Sequence, residues 1–265
     1  MKFLKELFKP IYKLTIVQKI SLAGILIVLV ALFQKVFAIN YIPVSPFVRI
    51  SFGGPALIIF SSILLGPWFG LLVGAASDIV GFFIFDPKNF GAMPFFQITF
   101  IYALLGFLPF FVYKLVNLIT NKKLMICIEL GVFFSLLLTI VLFCSLDYSV
   151  DLALWARIVI PVVAFTLLAV VFVTSILLDK YFTKRGYDIK TINNGFTCFV
   201  LEMTVMVLFG SLMKAWAFSS FTFWIIFVSQ VIVAFFNIPL NTFLVSYIMN
   251  LSKKLIKVEK DEKED

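Results

Sequence analysis

Apolar residues along this chain run in long unbroken stretches instead of alternating with polar ones. The stretches lie at about 15–38, 54–65, 67–85, 95–119, 124–146, 156–178, 192–213 and 222–250. Transmembrane strands would be short and would alternate apolar with polar positions. Runs of this length instead predict helices, the simplest way for a chain to satisfy its backbone groups inside hydrocarbon. The expected fold is therefore an all-α integral membrane protein, a bundle of about eight transmembrane helices. The first run follows lysines, as a signal peptide would. It is too long for one, contains Lys35 and lacks a clean small-x-small cleavage site, so it is read as a retained first helix.

Composition supports this pattern. The chain is 62% hydrophobic and only 14% charged, whereas soluble domains carry about 25% charged residues. The absence of histidine excludes Ser-His-Asp triads, His-based zinc sites and His proton relays. Cys127, Cys144 and Cys198 are far apart in apolar runs and read as reduced packing residues. Neither a metal nor a cofactor is expected, and an enzyme is the least expected class. The net charge of +8 reports topology rather than nucleic acid. With the N-terminus in the cytoplasm and alternating spans, 17 of the 22 Lys and Arg residues fall inside and 5 outside. This bias predicts a multi-pass protein of the cell membrane with both termini cytoplasmic. It also sets Trp155, Trp216 and Trp224 near the outer interface and Trp68 near the inner one. Residues 1–250 form one helical membrane domain, and 251–265 a charged tail whose mixed-charge end favours disorder.

Candidate chemistry concentrates between residues 43 and 96. The apolar run from Pro55 to Gly66 spans only about 17 Å as a helix, against roughly 30 Å of hydrocarbon. The segment before it, IPVSPFVRISFGG at 42–54, carries two Pro, two adjacent Gly and the guanidinium of Arg49. Either it is an ordinary external loop, or it dips into the outer leaflet and lines a substrate cavity with Arg49 as an anion clamp. Gly66-Pro67 reads as a tight turn with Pro at the first helical position. Gly66, Gly70 and Gly74 then repeat at spacing four, and Asp78 continues that stripe toward the bundle interior. Asp78 is either a substrate contact or a structural hydrogen-bonding group. A short loop at 86–95 is expected to face the 43–54 segment.

The order Arg49-Ile-Ser-Phe-Gly-Gly-Pro55, then Leu65-Gly-Pro-Trp-Phe-Gly-Leu-Leu-Val-Gly74 with Asp78, then Phe90-Gly-Ala-Met-Pro-Phe95 and Gly106, resembles the substrate-binding S components of energy-coupling-factor vitamin transporters. The folate-specific branch is the nearest in pattern, over about residues 15–120. The resemblance implies a membrane-embedded receptor that binds a folate-like vitamin from outside. It also implies docking on a transmembrane coupling subunit and two ATPases. The chain itself has no G-x4-G-K-[ST] phosphate cradle. On this resemblance the substrate-binding residues are Arg49, Phe52, Gly53, Gly54, Asp78, Pro94, Phe95 and Arg157, and docking on the coupling subunit uses Ala23, Gly24 and Ala31. Two departures stand out. A bulky residue interrupts the family's small-residue stripe on helix 1, and eight spans replace a six-helix core, two being additional.

Other polar groups have competing readings. Arg157 either reaches the ligand or pairs at the surface with Asp147 and Asp151. Glu202, nearly half-way down its span, is either a proton site or hydrogen-bonded glue. Glu129 lies seven residues past Lys122, where a snorkelling pair suffices. Asn237 and Asn241, one turn apart around Pro239, either line a cavity or bond between helices. Phe52 and Phe95 are candidates for stacking on a flat ring. Another vitamin such as riboflavin, or a stand-alone proton-coupled transporter using Glu202, are the alternative functions.

Overall fold

A computed structural model describes residues 14–39, 50–51, 53–85, 96–119, 191–217 and 223–261, with single helical positions and short pieces between 124 and 184. Five of its helices are long and apolar enough to cross a membrane: Ile16–Lys35, Pro67–Phe85, Phe96–Leu118, Asn193–Ala217 and Ile226–Ser252. Gly54–Leu65 is a shorter apolar helix. The protein is thus a helical, multi-pass membrane protein. Large apolar side chains such as Ile16, Ile20, Ile25 and Val28 are exposed along the first helix. That surface suits lipid far better than water.

Helix α1 (Ile16–Lys35) starts with a capping box: Thr15 accepts from the Gln18 N–H while the Gln18 side chain accepts from the Thr15 N–H. After it, strand β1 (Ala38–Ile39) pairs antiparallel with β2 (Ile50–Ser51), Ala38 opposite Ser51 and Ile39 opposite Ile50. This ladder ties the two ends of segment 40–49 together beside the end of α1.

Helix α2 (Gly54–Leu65) is the short element expected from the sequence, and of its 12 residues only Leu57 is not fully buried. A helix apolar on every side belongs inside a bundle. Here α1, α3 (Pro67–Phe85), α4 (Phe96–Phe107), α5 (Pro109–Leu118) and α8 (Phe223–Asp261) surround it. The Gly66 turn between α2 and α3 has φ +101°, the left-handed region that glycine reaches without strain.

The fourth apolar run is broken at Leu108, because Pro109 opens a new helix. The Phe110 N–H there is satisfied from outside its own helix, donating to Ser62 Oγ at 3.1 Å on α2. Helices α3 and α4 approach each other through glycine. A Cβ on Gly70 would collide with the Gly106 carbonyl, one on Gly74 with the Tyr102 carbonyl, and one on Gly106 with the Gly70 carbonyl. Gly66, expected in the same stripe, is a turn residue instead, with nothing within 4 Å of its would-be Cβ. Lipid tails are as apolar as the side chains, so close backbone packing of this kind is what holds membrane helices together.

The second half pairs α6 (Thr191–Leu201), a π-helical segment (Glu202–Phe209) and α7 (Gly210–Ala217) with the long helix α8. The aromatic contacts Phe96–Trp216 and Trp68–Phe107 (both 5.4 Å between centroids) lie at opposite ends of α4. This suits tryptophans held at two membrane interfaces. Residues 251–261, expected to belong to a charged tail, continue α8 as helix to Asp261.

Gly74→Ala and Gly106→Ala are expected to cost about 1–3 kcal/mol each, since backbone must move to admit the methyl group. Gly24→Ala, with nothing within 4 Å, is expected to leave stability unchanged or raise it. Melting of the detergent-solubilised variants, followed by size-exclusion fluorescence, checks the contrast.

Candidate functional site: a buried polar seam

The site begins where α2 begins. Gly53 caps the helix with φ +86° and no side-chain hydrogen bond, and Pro55 offers no N–H in the first turn. Helix α2 is only about 18 Å long, too short to cross a hydrocarbon layer of roughly 30 Å by itself. The neighbours of Gly53 are Leu244 of α8 and Phe33 of α1, 3.0 and 3.5 Å from the position a Cβ would take. At Gly54 the neighbour is Gln34, whose Cγ comes within 2.5 Å of that position and whose Cδ and Nε2 come within 3.5 Å. Gln34 is 2% exposed, and neither its Oε1 nor its Nε2 has a hydrogen-bond partner.

From Leu244 the seam continues along α8. Positions 237, 241 and 244 follow the i, i+4, i+7 spacing that keeps side chains on one helix face. Leu244 meets Gly53, so Asn241 and Asn237 continue away from α2's N-terminus along that face. Asn237 Nδ2 donates to Glu202 Oε1 at 2.9 Å, joining α8 to the first residue of the π segment. Glu202, Asn237 and Asn241 are all at most 2% exposed. Glu202 Oε2, Asn237 Oδ1 and both polar atoms of Asn241 have no partner. Among the described residues, six of the seven such buried atoms belong to Gln34, Glu202, Asn237 and Asn241, with Ser211 Oγ the seventh. They are concentrated rather than scattered.

Two backbone irregularities flank these groups. Pro239 withholds a ladder hydrogen bond within α8, and the π segment widens the opposite helix at Glu202. Lys214 lies on α7, which follows the π segment directly.

Elsewhere the bundle satisfies its polar groups. Asn193 Nδ2 donates to Asn117 Oδ1 at 2.8 Å, and Asn194 Nδ2 to Ser246 Oγ at 3.0 Å. Asp78 is buried between α3 and α4, where its Oδ2 accepts from Thr99 Oγ1 at 2.7 Å. The stem of Lys35 lies over Gly81, one turn further along α3, with Cγ 3.0 Å from the position of an added Cβ. Asp78 is therefore engaged as a brace between helices, whereas Gly53 and Gly54 lie at the seam. Arg49, Phe52, Pro94, Phe95 and Arg157, with Glu129, Asp147 and Asp151, lie outside the described residues.

The three residues expected to dock a partner do not form one surface. Ala23 and Ala31 are 3% and 0% exposed, packed within the chain's own bundle, and only Gly24 is open. A stripe of small residues on α1 here serves α1's own packing.

Gln34 was not singled out from the sequence. Its signal was present: an amide in the last turn, after the apolar run from Leu22 to Phe33 and beside Lys35. What the sequence could not supply was the partner across the helix gap, Gly54.

The chain matches no protein-family description, no curated protein and no solved structure.

An unpaired buried amide costs about 1–3 kcal/mol, so Gln34→Leu is expected to raise the melting temperature of the ligand-free protein. Thr99→Val, which removes a made hydrogen bond to Asp78, is expected to lower stability by about 1–2 kcal/mol. Equal and opposite results in the same melting assay would reverse the division between seam and brace.

Proposed function

We propose that this chain is the substrate-binding subunit of a vitamin importer, of the S-component type, with a folate-like substrate. The observation that carries the reading is the run of unpaired polar groups from Gln34 to Glu202, beside the N-terminus of a helix too short to cross the membrane. Buried polar groups left without partners in an apolar bundle are costly, and a ligand that supplies the missing bonds recovers that cost on binding. The motif order around Arg49, Gly53-Gly54, Asp78 and Phe90–Phe95 supports the vitamin class. Arg49 pairs in this proposal with a substrate carboxylate or carbonyl, and Phe52 and Phe95 flank the ring.

No phosphate cradle is encoded in the chain, so energy comes from a separate coupling subunit and two ATPases. The open face of α1 around Gly24, rather than Ala23 and Ala31, is the docking surface in this assignment. In this reading both termini face the cytoplasm, which the positive-inside bias supports, and the binding site opens outward.

A second reading is favoured by one feature. Glu202 at a π segment, with one carboxyl oxygen unpaired, suits a proton-coupled transporter that works alone. Uptake by proteoliposomes containing this chain as their only protein would favour that reading over the first.

The purified protein in mild detergent is expected to bind folate, read by radioligand titration, and to be stabilised against heat by folate more than by riboflavin. Arg49→Ala is expected to weaken folate binding at least tenfold. Stabilisation by riboflavin alone would move the proposal to another vitamin, and unchanged affinity in Arg49→Ala would remove the clamp.

A further inference from the structure

We propose that the end of the bundle where α1 begins carries a docking surface for an anionic phospholipid, built from Lys19, Trp68 and Lys114 around a strip of aromatic rings. That end is cytoplasmic in the topology proposed above. The inference requires only that the protein sits in a membrane, so it stands apart from the identity of any substrate.

The strip can be followed ring by ring. Lys19, one turn into α1, places its Nζ 5.9 Å from the centroid of the Phe69 ring. Trp68, the neighbour of Phe69 in the first turn of α3, meets Phe107 of α4 at 5.4 Å between centroids. Phe107 meets Phe111 of α5 at 5.2 Å, and Phe111 meets Phe110 at 5.5 Å. Lys114 follows Phe110 by four residues on α5, a spacing that shares one helix face. Its Nζ lies 4.5 Å from the centroid of the Phe110 ring. Both ammonium groups are within cation–π range. The contacts join four helices and set a positive charge at each end of the strip.

Charge decides the sign of the partner. Among the described residues of α1 to α5, Asp78 is the only one with a carboxylate. It is buried and bonded to Thr99, and it lies ten residues along α3 from Trp68, about 15 Å away. These helices therefore bring two cations to the strip and no counter-charge.

The exposed neighbours decide the class. Trp68 is 66% exposed, and Leu72, Leu115 and Leu118 are exposed as well. In a membrane such side chains meet acyl chains, an interfacial indole sits at headgroup level, and lysines attract anionic lipid. A phospholipid supplies all three partners in one molecule. A zwitterionic headgroup would bring a positive charge of its own to the two lysines. An acidic protein segment would match the charge but not the apolar side chains around it.

Delipidated protein in mild detergent is titrated with dioleoyl phosphatidylglycerol or dioleoyl phosphatidylcholine, and bound lipids are counted by native mass spectrometry. At about fivefold per lysine, the parent is expected to prefer phosphatidylglycerol about 25-fold at low salt. Lys19→Gln and Lys114→Gln are each expected to lower that preference about fivefold, whereas Lys19→Arg and Lys114→Arg keep it. Trp68→Ala is expected to weaken the binding of both lipids. Lys180→Gln, at an exposed helical lysine outside the strip, is expected to leave the preference unchanged.

Equal affinity of the parent for the two lipids would overturn the proposal. So would parent-like preference in both glutamine variants, or an equal loss in Lys180→Gln, which would mark the effect as one of overall charge. Displacement of phosphatidylglycerol by an equal concentration of poly-glutamate would overturn the lipid assignment in favour of an acidic protein segment.

Discussion

A backbone in hydrocarbon must find its hydrogen bonds within protein, and the half-length helix α2 is where this constraint presses hardest. A ladder of 12 residues is too short to reach across hydrocarbon, so an end of α2 that meets apolar surroundings requires enclosure. The bundle provides it by surrounding α2 on every side with α1, α3, α4, α5 and α8. Several other features follow from that central position. Gly53 takes a left-handed conformation to turn the chain in, Gly54 admits Gln34, and Ser62 receives the Phe110 N–H where Pro109 interrupts its own helix. Burial here is not water expulsion, since the outer faces meet lipid. It is the replacement of lipid contact by closer protein contact.

That arrangement also explains why polar groups are treated in two ways. Where helices need to be joined, pairs are complete, as in Asn193–Asn117, Asn194–Ser246 and Thr99–Asp78. Along the α8 face that meets the start of α2, they are incomplete. The difference separates groups already engaged between helices from groups such as Asn241, neither of whose polar atoms is paired.

Much of the architecture was legible in the sequence because lipid imposes a simple rule on composition. The limits of α2 and α3 follow directly from the run at 54–65, the Gly66-Pro67 turn and the run at 67–85. The break at Leu108 was less visible, since an apolar run continues through Pro109 and hydropathy is blind to a turn made of apolar residues. The glycine spacing in α3 pointed to close packing, yet Gly66 took a turn and Gly106 of α4 supplied the opposing contact. For the site, Gly53, Gly54, Glu202, Asn237 and Asn241 were readable as unusual residues at membrane depth. Their assembly was not, because it depends on which face of a 39-residue helix turns toward α2. Ala23 and Ala31 illustrate the same limit, since spacing alone does not say whether a small-residue stripe packs against the chain itself or against another.

Helix α8 carries one more implication. It is continuous from Phe223 to Asp261, so its seam residues and its charged far end are parts of a single shaft with Pro239 as its weakest point. The shaft from Pro239 to Asp261 is about 33 Å long, and a change of about 10° at the proline would swing its tip by about 6 Å. Any small bend at Pro239 is thereby magnified toward Asp261, as a lever magnifies a turn at its pivot.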